Sequence, residues 1–287
     1  MRRTAMHGAA LAALLVFVLI TTRAAGASGA LTAMSGNPCP PPQPGGGVGS
    51  AFIHMLLTPG VRFVRPGQSP AEQQAAERAA AQQRARDWAD LCRYRADNAT
   101  LASNPRVVLM GDSITDFWRQ GDPELFGHGI VDRGISGQTT SQMVVRFWPD
   151  VIALHPGIVQ ILAGTNDIAG NTGPTTEQDF KDNIRAMVDL AQSHDMRVLL
   201  GSIPPAVHFW WTPHPYEPAE EIRRLNDWLR RYAGASGGRV EFVDYYSHLA
   251  TPAGAFRPDL SNDGVHPNEA GYKVMTGLLE AALSAAR

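Results

Sequence analysis

"VVLMGDSITD", residues 107–116, runs four apolar residues into Gly111, Asp112 and a serine, Ser113. An apolar run without polar alternation reads as a strand buried on both faces, the pattern of a parallel sheet. A serine at the end of such a strand is ordinarily a helix cap or a turn residue. Four further runs resemble the first: "GIVDRG" (129–134), "GIVQILAG" (157–164), "MRVLLGS" (196–202) and "RVEFVDY" (239–245). Amphipathic stretches separate them, "TSQMVVRFWPDVIAL", "TEQDFKDNIRAMVDLAQSH" and "PAEEIRRLNDWLRRYAG", and "PNEAGYKVMTGLLEAALSAAR" closes the chain. Strand and helix in alternation predict a doubly wound α/β domain, a parallel sheet of about five strands with helices on both faces. Such sheets bind at the carboxyl ends of their strands, so those ends are where chemistry is expected.

The 287 residues are 44% hydrophobic and 18% charged, with a formal net charge of −2, an ordinary globular balance. That charge gives no electrostatic case for nucleic acid or for an anionic membrane surface. The N-terminus departs from this balance. Arg2 and Arg3 precede an apolar stretch from about Ala9 to Ile20, and Ala25-Gly26-Ala27 supplies small residues. This is the order of a secretory signal peptide, expected over 1–27 with cleavage after Ala27. The apolar run falls short of the ~20 residues a membrane span needs, so no stable span is expected after cleavage. A retained anchor is the alternative, and Arg23 just after the apolar run favours it. Export, to the periplasm or the medium, implies an oxidising compartment. Cys39 and Cys92 are then a candidate disulfide, with two unpaired thiols as the alternative.

Residues 28–68 form a Pro/Gly-rich lead-in, its core "SGNPCPPPQPGGGVGS" (35–50) unable to hold a helix or a central strand. Residues 69–103 read as a helical extension, capped by Ser69 with Pro70 in the first turn and a break near Asp87. Its first half is polar all round. In its second half Trp88, Leu91, Cys92 and Tyr94 can pack on a core. The α/β domain proper is placed at 104–287.

Four strand ends carry chemically useful residues. Ser113 follows the first strand. In "DRGISGQTTSQ" (132–142) two glycines flank Ser136, and glycine lets a backbone present its N–H groups closely. In "GTNDIAGNT" (164–172) Asn166 offers a side-chain amide and Asp167 can fix the loop, although Asn and Asp in loops mostly make Asx turns. In "SNDGVHPNEAGY" (261–272) Asp263 and His266 are three residues apart, so a carboxylate can hold one imidazole nitrogen while the other faces outward. A serine hydroxyl needs such a base to attack at neutral pH. Together the loops supply a nucleophile, anion-binding donors and an Asp-His pair, the set that acyl transfer requires.

"GDSIT", "GISG", "GTND" and "DGVHP", in this order, resemble the four blocks of the SGNH hydrolases, also called the GDSL esterase/lipase family. The resemblance covers roughly residues 104–287 and implies a flavodoxin-like fold. It implies Ser113 as nucleophile, His266 as base and acid oriented by Asp263, and an oxyanion hole from the Ser113 amide, the Gly137 amide and the Asn166 side chain. Gly137 is chosen over Gly134 because the family's glycine is the later one. Asp112 and Asp167 then brace their loops. No metal or other cofactor is implied. Thr115 stands where the second glycine of an α/β-hydrolase nucleophile elbow would be, which separates the two motifs.

The loop "SIPPAVHFWWTPHPYEP" (202–218) gathers Phe209, Trp210, Trp211 and Tyr216, rings that can rim a substrate site or cover the edge of the core. The expected activity is hydrolysis of carboxylic esters by a secreted serine esterase. A small-molecule or glycan ester is the expected substrate, with small acyl groups such as acetyl on carbohydrate. The alternatives are a short-chain lipase, lysophospholipase or thioesterase-like acylhydrolase, and a non-catalytic carbohydrate-binding relative. The last would lack a Ser, Asn or His of the set, and none is missing.

Overall fold

All five apolar runs form parallel strands in a computed structural model that describes residues 38–39, 49–64, 67, 69–212 and 217–285. They are β1 (Val107–Gly111), β2 (Ile130–Gly134), β3 (Ile158–Leu162), β4 (Arg197–Gly201) and β5 (Val240–Val243), in the sheet order β2-β1-β3-β4-β5. Ahead of the sheet lie α1 (Ser50–Leu57), α2 (Pro70–Arg86) and α3 (Arg95–Ala99). After β1 come α4 (Ser113–Asp116) and α5 (Trp118–Gly121), and after β2 comes α6 (Thr140–Asp150). α7 (Thr165–Ile168) and α8 (Glu177–Ser193) follow β3, α9 (Ala219–Gly234) follows β4, and α10 (Tyr246–Leu249) and α11 (Glu269–Ala285) follow β5.

Alternate residues of each strand face opposite layers. Val108 and Met110 join Met143, Phe147, Ile184 and Leu229, from α6, α8 and α9. Val107 and Leu109 join Trp118, Tyr245, Tyr272 and Leu279 on the other side, with α5 and α11. Both faces are therefore covered, which is why the strands read as mostly apolar runs, interrupted by Asp132 and Arg133 in β2, Gln160 in β3 and Glu241 in β5. The chain leaves β1 outward to β2, then returns past β1 to β3. This reversal opens a crevice at the carboxyl ends of β1 and β3, where Ser113 and Asn166 begin their helices.

The helical extension breaks where the sequence predicts. α2 starts with a Ser69–Glu72 capping box and ends at Asp87, whose carboxylate accepts the Leu91 and Cys92 N–H groups at 2.8 and 2.9 Å. Tyr94 is buried, whereas Trp88, expected to pack on the core, is 41% exposed. The lead-in at 28–68 also contains α1, a helix that the sequence reading did not single out. Past the Pro/Gly run, "SAFIHMLL" buries Leu56 and Leu57 in the second layer, and this apolar docking outweighs the poor helix propensity of the preceding residues. The expected signal segment, 1–27, lies outside the described residues. Neither Cys39 nor Cys92 is a free thiol, each being disulfide-bonded. Among the described residues no helix is long and apolar enough to cross a membrane.

Candidate active site

Asp112 caps α4, its Oδ1 accepting the Ile114 N–H at 2.9 Å. Burial pushes its carboxyl up to about 7, against the pull of that N–H and of the His266 charge. α4 lies directly on the end of β2: a Cβ on Gly134 would sit 2.1 Å from the Asp116 nitrogen, so glycine is needed there. This packing fixes Ser113, 8% exposed, with its Oγ 2.9 Å from His266 Nε2.

His266 Nδ1 lies 2.7 Å from Asp263 Oδ2, and the Asp263 side chain is fully buried. Because an ionised carboxylate can only accept, Nδ1 carries the proton and Nε2 is left to accept from Ser113. The Asp263 Oδ1 accepts the backbone N–H groups of Val265 and His266 at 2.9 and 2.8 Å, and the Ser261 hydroxyl at 3.3 Å. Burial works against this carboxylate, but the His266 charge and these hydrogen bonds outweigh it and hold its pKa down to about 2. Burial likewise disfavours the imidazolium. The Asp263 charge and hydrogen bond, with the Asp112 charge, overcome it and raise His266 above the ordinary imidazole value.

Two backbone N–H groups near His266, those of Ser113 and of Gly137 in the loop after β2, make no hydrogen bond among the described residues. Gly134, the other glycine of the second block, has its N–H engaged by Asp132 Oδ1 at 2.6 Å. Gly137 has φ +80°, a conformation that favours glycine. Asn166 Nδ2 donates to the Gln138 carbonyl at 3.1 Å and to Asp112 Oδ2 at 3.3 Å. Its own carbonyl is held by Asn171 Nδ2 at 2.7 Å, which fixes the amide orientation. Asp167 turns away from the crevice and accepts the N–H and hydroxyl of Thr140, tying the loop after β3 to the start of α6. Burial lifts its carboxyl to about 6.

Several residues that hold this arrangement were not singled out from the sequence. Arg146, with no exposed surface, pairs with Asp150 at 3.2 Å and donates to Gln138 Oε1 at 2.5 Å and to the Gly111 carbonyl at 3.0 Å. One guanidinium thus joins the loop carrying Ser113 to the loop carrying Gly137. The signal was an i,i+4 Arg–Asp pair on the same helix as Met143 and Phe147, which the core buries. Asp116 accepts the backbone N–H and the hydroxyl of Ser136 at 3.2 and 2.6 Å and faces Arg93 at 3.5 Å, binding α4 to the same loop.

The aromatic loop is divided. Phe209, expected at a substrate rim, has no exposed surface; it belongs to the first core layer and stacks under Trp211 with centroids 5.1 Å apart. Its side chain lies under the loop because covering the core's edge removes more apolar surface from water than a rim position would. Trp210, also expected at the rim, donates its indole N–H to Asp263 Oδ2 at 3.0 Å and packs against Phe52 and Phe63. Trp211 alone of the three keeps a rim position: its ring centroid is 6.3 Å from that of His266, and its indole N–H donates to Asn171 Oδ1 at 3.0 Å. Tyr216 lies outside the described residues.

A serine facing an imidazole, a carboxylate behind it and open N–H donors beside it can together carry acyl transfer. Known proteins resemble the chain as a whole. The chain is 30% identical over 210 residues to an isoamyl acetate-hydrolyzing esterase 1 homolog of Mus musculus, covering 64% of this chain and 83% of that protein. It is 25% identical over 214 residues to an acetylxylan esterase of Xylanibacter ruminicola, covering 62% of this chain and 43% of the relative, less than half of that protein's length. A GDSL-like lipase of Bacteroides thetaiotaomicron has a similar structure, with TM-score 0.66 at 39% identity, over 69% of this chain and 99% of that one. A model of the GDSL-like lipase/acylhydrolase family matches residues 109–274, a span that holds Ser113, Gly137, Asn166, Asp263 and His266. The chain belongs to the GDSL-like lipase/acylhydrolase family.

Proposed function

We propose that the protein is an exported serine esterase that removes small acyl groups, acetyl above all, from hydroxyls of carbohydrate. The observation that carries the reading is the Ser113–His266–Asp263 chain of contacts, 2.9 and 2.7 Å, beside the open N–H groups of Ser113 and Gly137. Ser113 Oγ attacks the ester carbonyl carbon as His266 Nε2 takes its proton. The oxyanion accepts from the Ser113 and Gly137 amides and from Asn166, whose 3.3 Å bond to Asp112 is the longer of its two and the easier to exchange. Collapse expels the alcohol, protonated by His266. Water then attacks the acyl-enzyme with His266 again as base, releasing the acid and restoring Ser113.

Three observations support the small acyl group and the exported location. The reacting serine is deeply set, with Trp211 and Phe117 flanking His266. Two relatives are named for acetate esters, one of them of xylan. The N-terminal order of arginines, apolar stretch and small residues suits export, and the bonded cysteines suit an oxidising compartment.

The test is hydrolysis of p-nitrophenyl esters from acetate to palmitate by the exported form, its N-terminus sequenced, and by its Ser113→Ala variant. The expected mature chain starts at Ser28. Acetate is expected to be the best substrate, and the variant to lose more than about 10⁴-fold in kcat. Turnover rising with chain length would replace the reading with a lipase. Equal turnover by both proteins would remove Ser113 from the reaction.

A further inference from the structure

A cleft of about 370 Å³ lies between the end of α2 and the loop after β2 that carries Gly137. Gln83, Arg84, Asp87 and Trp88 form one wall, and Gly137 and Trp211 belong to the other. The size falls at the lower end of small-molecule sites, about 300–1,000 Å³. We propose that this cleft is a carbohydrate subsite, holding a neutral sugar unit of the alcohol part of the ester, and that the helical extension sets substrate preference through it. The proposal rests on the esterase reading for the role of the bound sugar, but not for its binding.

The cleft adjoins the candidate site through Gly137, Asn171 and Trp211. Gly137, whose N–H is open, lines it, as does Asn171, which fixes Asn166. The alcohol must leave from beside His266 Nε2. Trp211 borders both the imidazole and the cleft, so a leaving alcohol with a large remainder extends along that indole into the cleft.

The lining suits a neutral polyhydroxylated ring. Trp88 and Trp211 present indoles on opposite walls, and an exposed indole is a platform for the apolar faces of a sugar. Trp88 is one of the few large apolar side chains left exposed among the described residues. Arg84 is exposed and its guanidinium has no partner among the described residues, which leaves its donors for hydroxyls. Asp87 and Asp90 set two carboxylates against that single cation, so an anionic headgroup is repelled. A long acyl chain would have to lie across amides and carboxylates, at the cost of leaving them desolvated.

The wall is built in place. Gln138 Nε2 donates to the Ala89 carbonyl at 2.8 Å, and Gln142 Nε2 to the Trp88 carbonyl at 2.5 Å. The backbone that carries Trp88 is thus bonded to the loop and helix that carry Gly137. The residues that supply this wall precede the span 109–274 matched by the family model, and those of the facing wall lie within it.

The test uses full-length mature protein carrying Ser113→Ala, which binds without turnover, and titration calorimetry with xylotetraose, cellotetraose and mannotetraose. At least one is expected to bind, and Trp88→Ala on that background to weaken it at least tenfold, with Trp88→Phe restoring most of the affinity. Arg84→Ala, on the exposed surface of α2, is expected to weaken it severalfold and serves if Trp88→Ala lowers the thermal midpoint. In the active enzyme, Trp88→Ala is expected to lower the ratio of kcat/KM for acetylated xylotetraose to that for p-nitrophenyl acetate at least tenfold. Absence of binding by all three oligosaccharides overturns the subsite, even if p-nitrophenyl acetate is hydrolysed. Binding that neither Trp88→Ala nor Arg84→Ala weakens also overturns it. Binding by a protein that hydrolyses no ester sustains the subsite and overturns the esterase reading alone.

Discussion

The two halves of the site are held by different means. On the Gly137 side the braces are ionisable side chains, buried or half-buried: Arg146 with Asp150, Asp116 on Ser136, Asp167 on Thr140, and Asp132 on the Gly134 N–H. On the His266 side they are rings: Trp210 between Phe52 and Phe63, Trp211 on Phe209, and Phe117 against the imidazole. The difference matches what each half must do. Open N–H donors need a fixed direction, and charge-assisted hydrogen bonds impose direction on a backbone loop. The imidazole and its carboxylate need a setting poor in water, where their attraction is least screened, and packed rings provide it.

The largest effect is expected where the ring-held side keeps its carboxylate. Asp263→Asn should leave the packing in place but lower kcat by about 10⁴-fold, because the wrong tautomer is then held. The pH profile distinguishes this from a merely structural change. His266 must be neutral to act as base, so kcat/KM rises with pH as it loses its proton. Its raised pKa puts that rise above the ordinary imidazole value of about 6.5. Removing the Asp263 charge should move the midpoint to lower pH, and an unmoved midpoint would break the assigned pairing.

On the charge-held side, Arg146→Met should cost about 3–5 kcal/mol of stability, measured from urea unfolding, because Asp150 is left buried without its cation. Adding Asp150→Leu should recover much of that loss. If the double variant were no more stable than the single one, the charge pair would not be what braces this half. The smallest effect is expected at Trp210→Phe, which keeps the ring between Phe52 and Phe63 and removes the N–H to Asp263. Asp263 retains three protein donors besides the imidazole. A loss of about three- to tenfold in kcat with little change in thermal midpoint is the outcome that fits.

What the sequence disclosed followed the range of its signals. The strands were legible because burial on both faces leaves a mostly apolar run, and the Asp263–His266 pair because a turn fixes three residues locally. Ser113, Gly137 and Asn166 were legible as an ordered set that resembled a family, not singly. Contacts made across long separations left little local trace. Nothing near Trp210 marks its indole as a donor to Asp263 and not a substrate rim. Phe209 looked like its neighbours until the fold placed the core beneath it. α1 was hidden by the prolines and glycines before it, because its docking surface is assembled from residues much later in the chain.

That last contact bears on timing. Asn262, beside Asp263, donates to the Met55 and Thr58 carbonyls at 2.8 Å, across 207 and 204 residues of chain. Closing so long a loop carries a large entropy cost, and contacts of high sequence separation form slowly. A chain synthesised or threaded from its N-terminus presents Met55 long before Asn262 has emerged. The loop that holds His266 therefore gains this support only once the chain has been made through Asn262, more than two hundred residues after its partner.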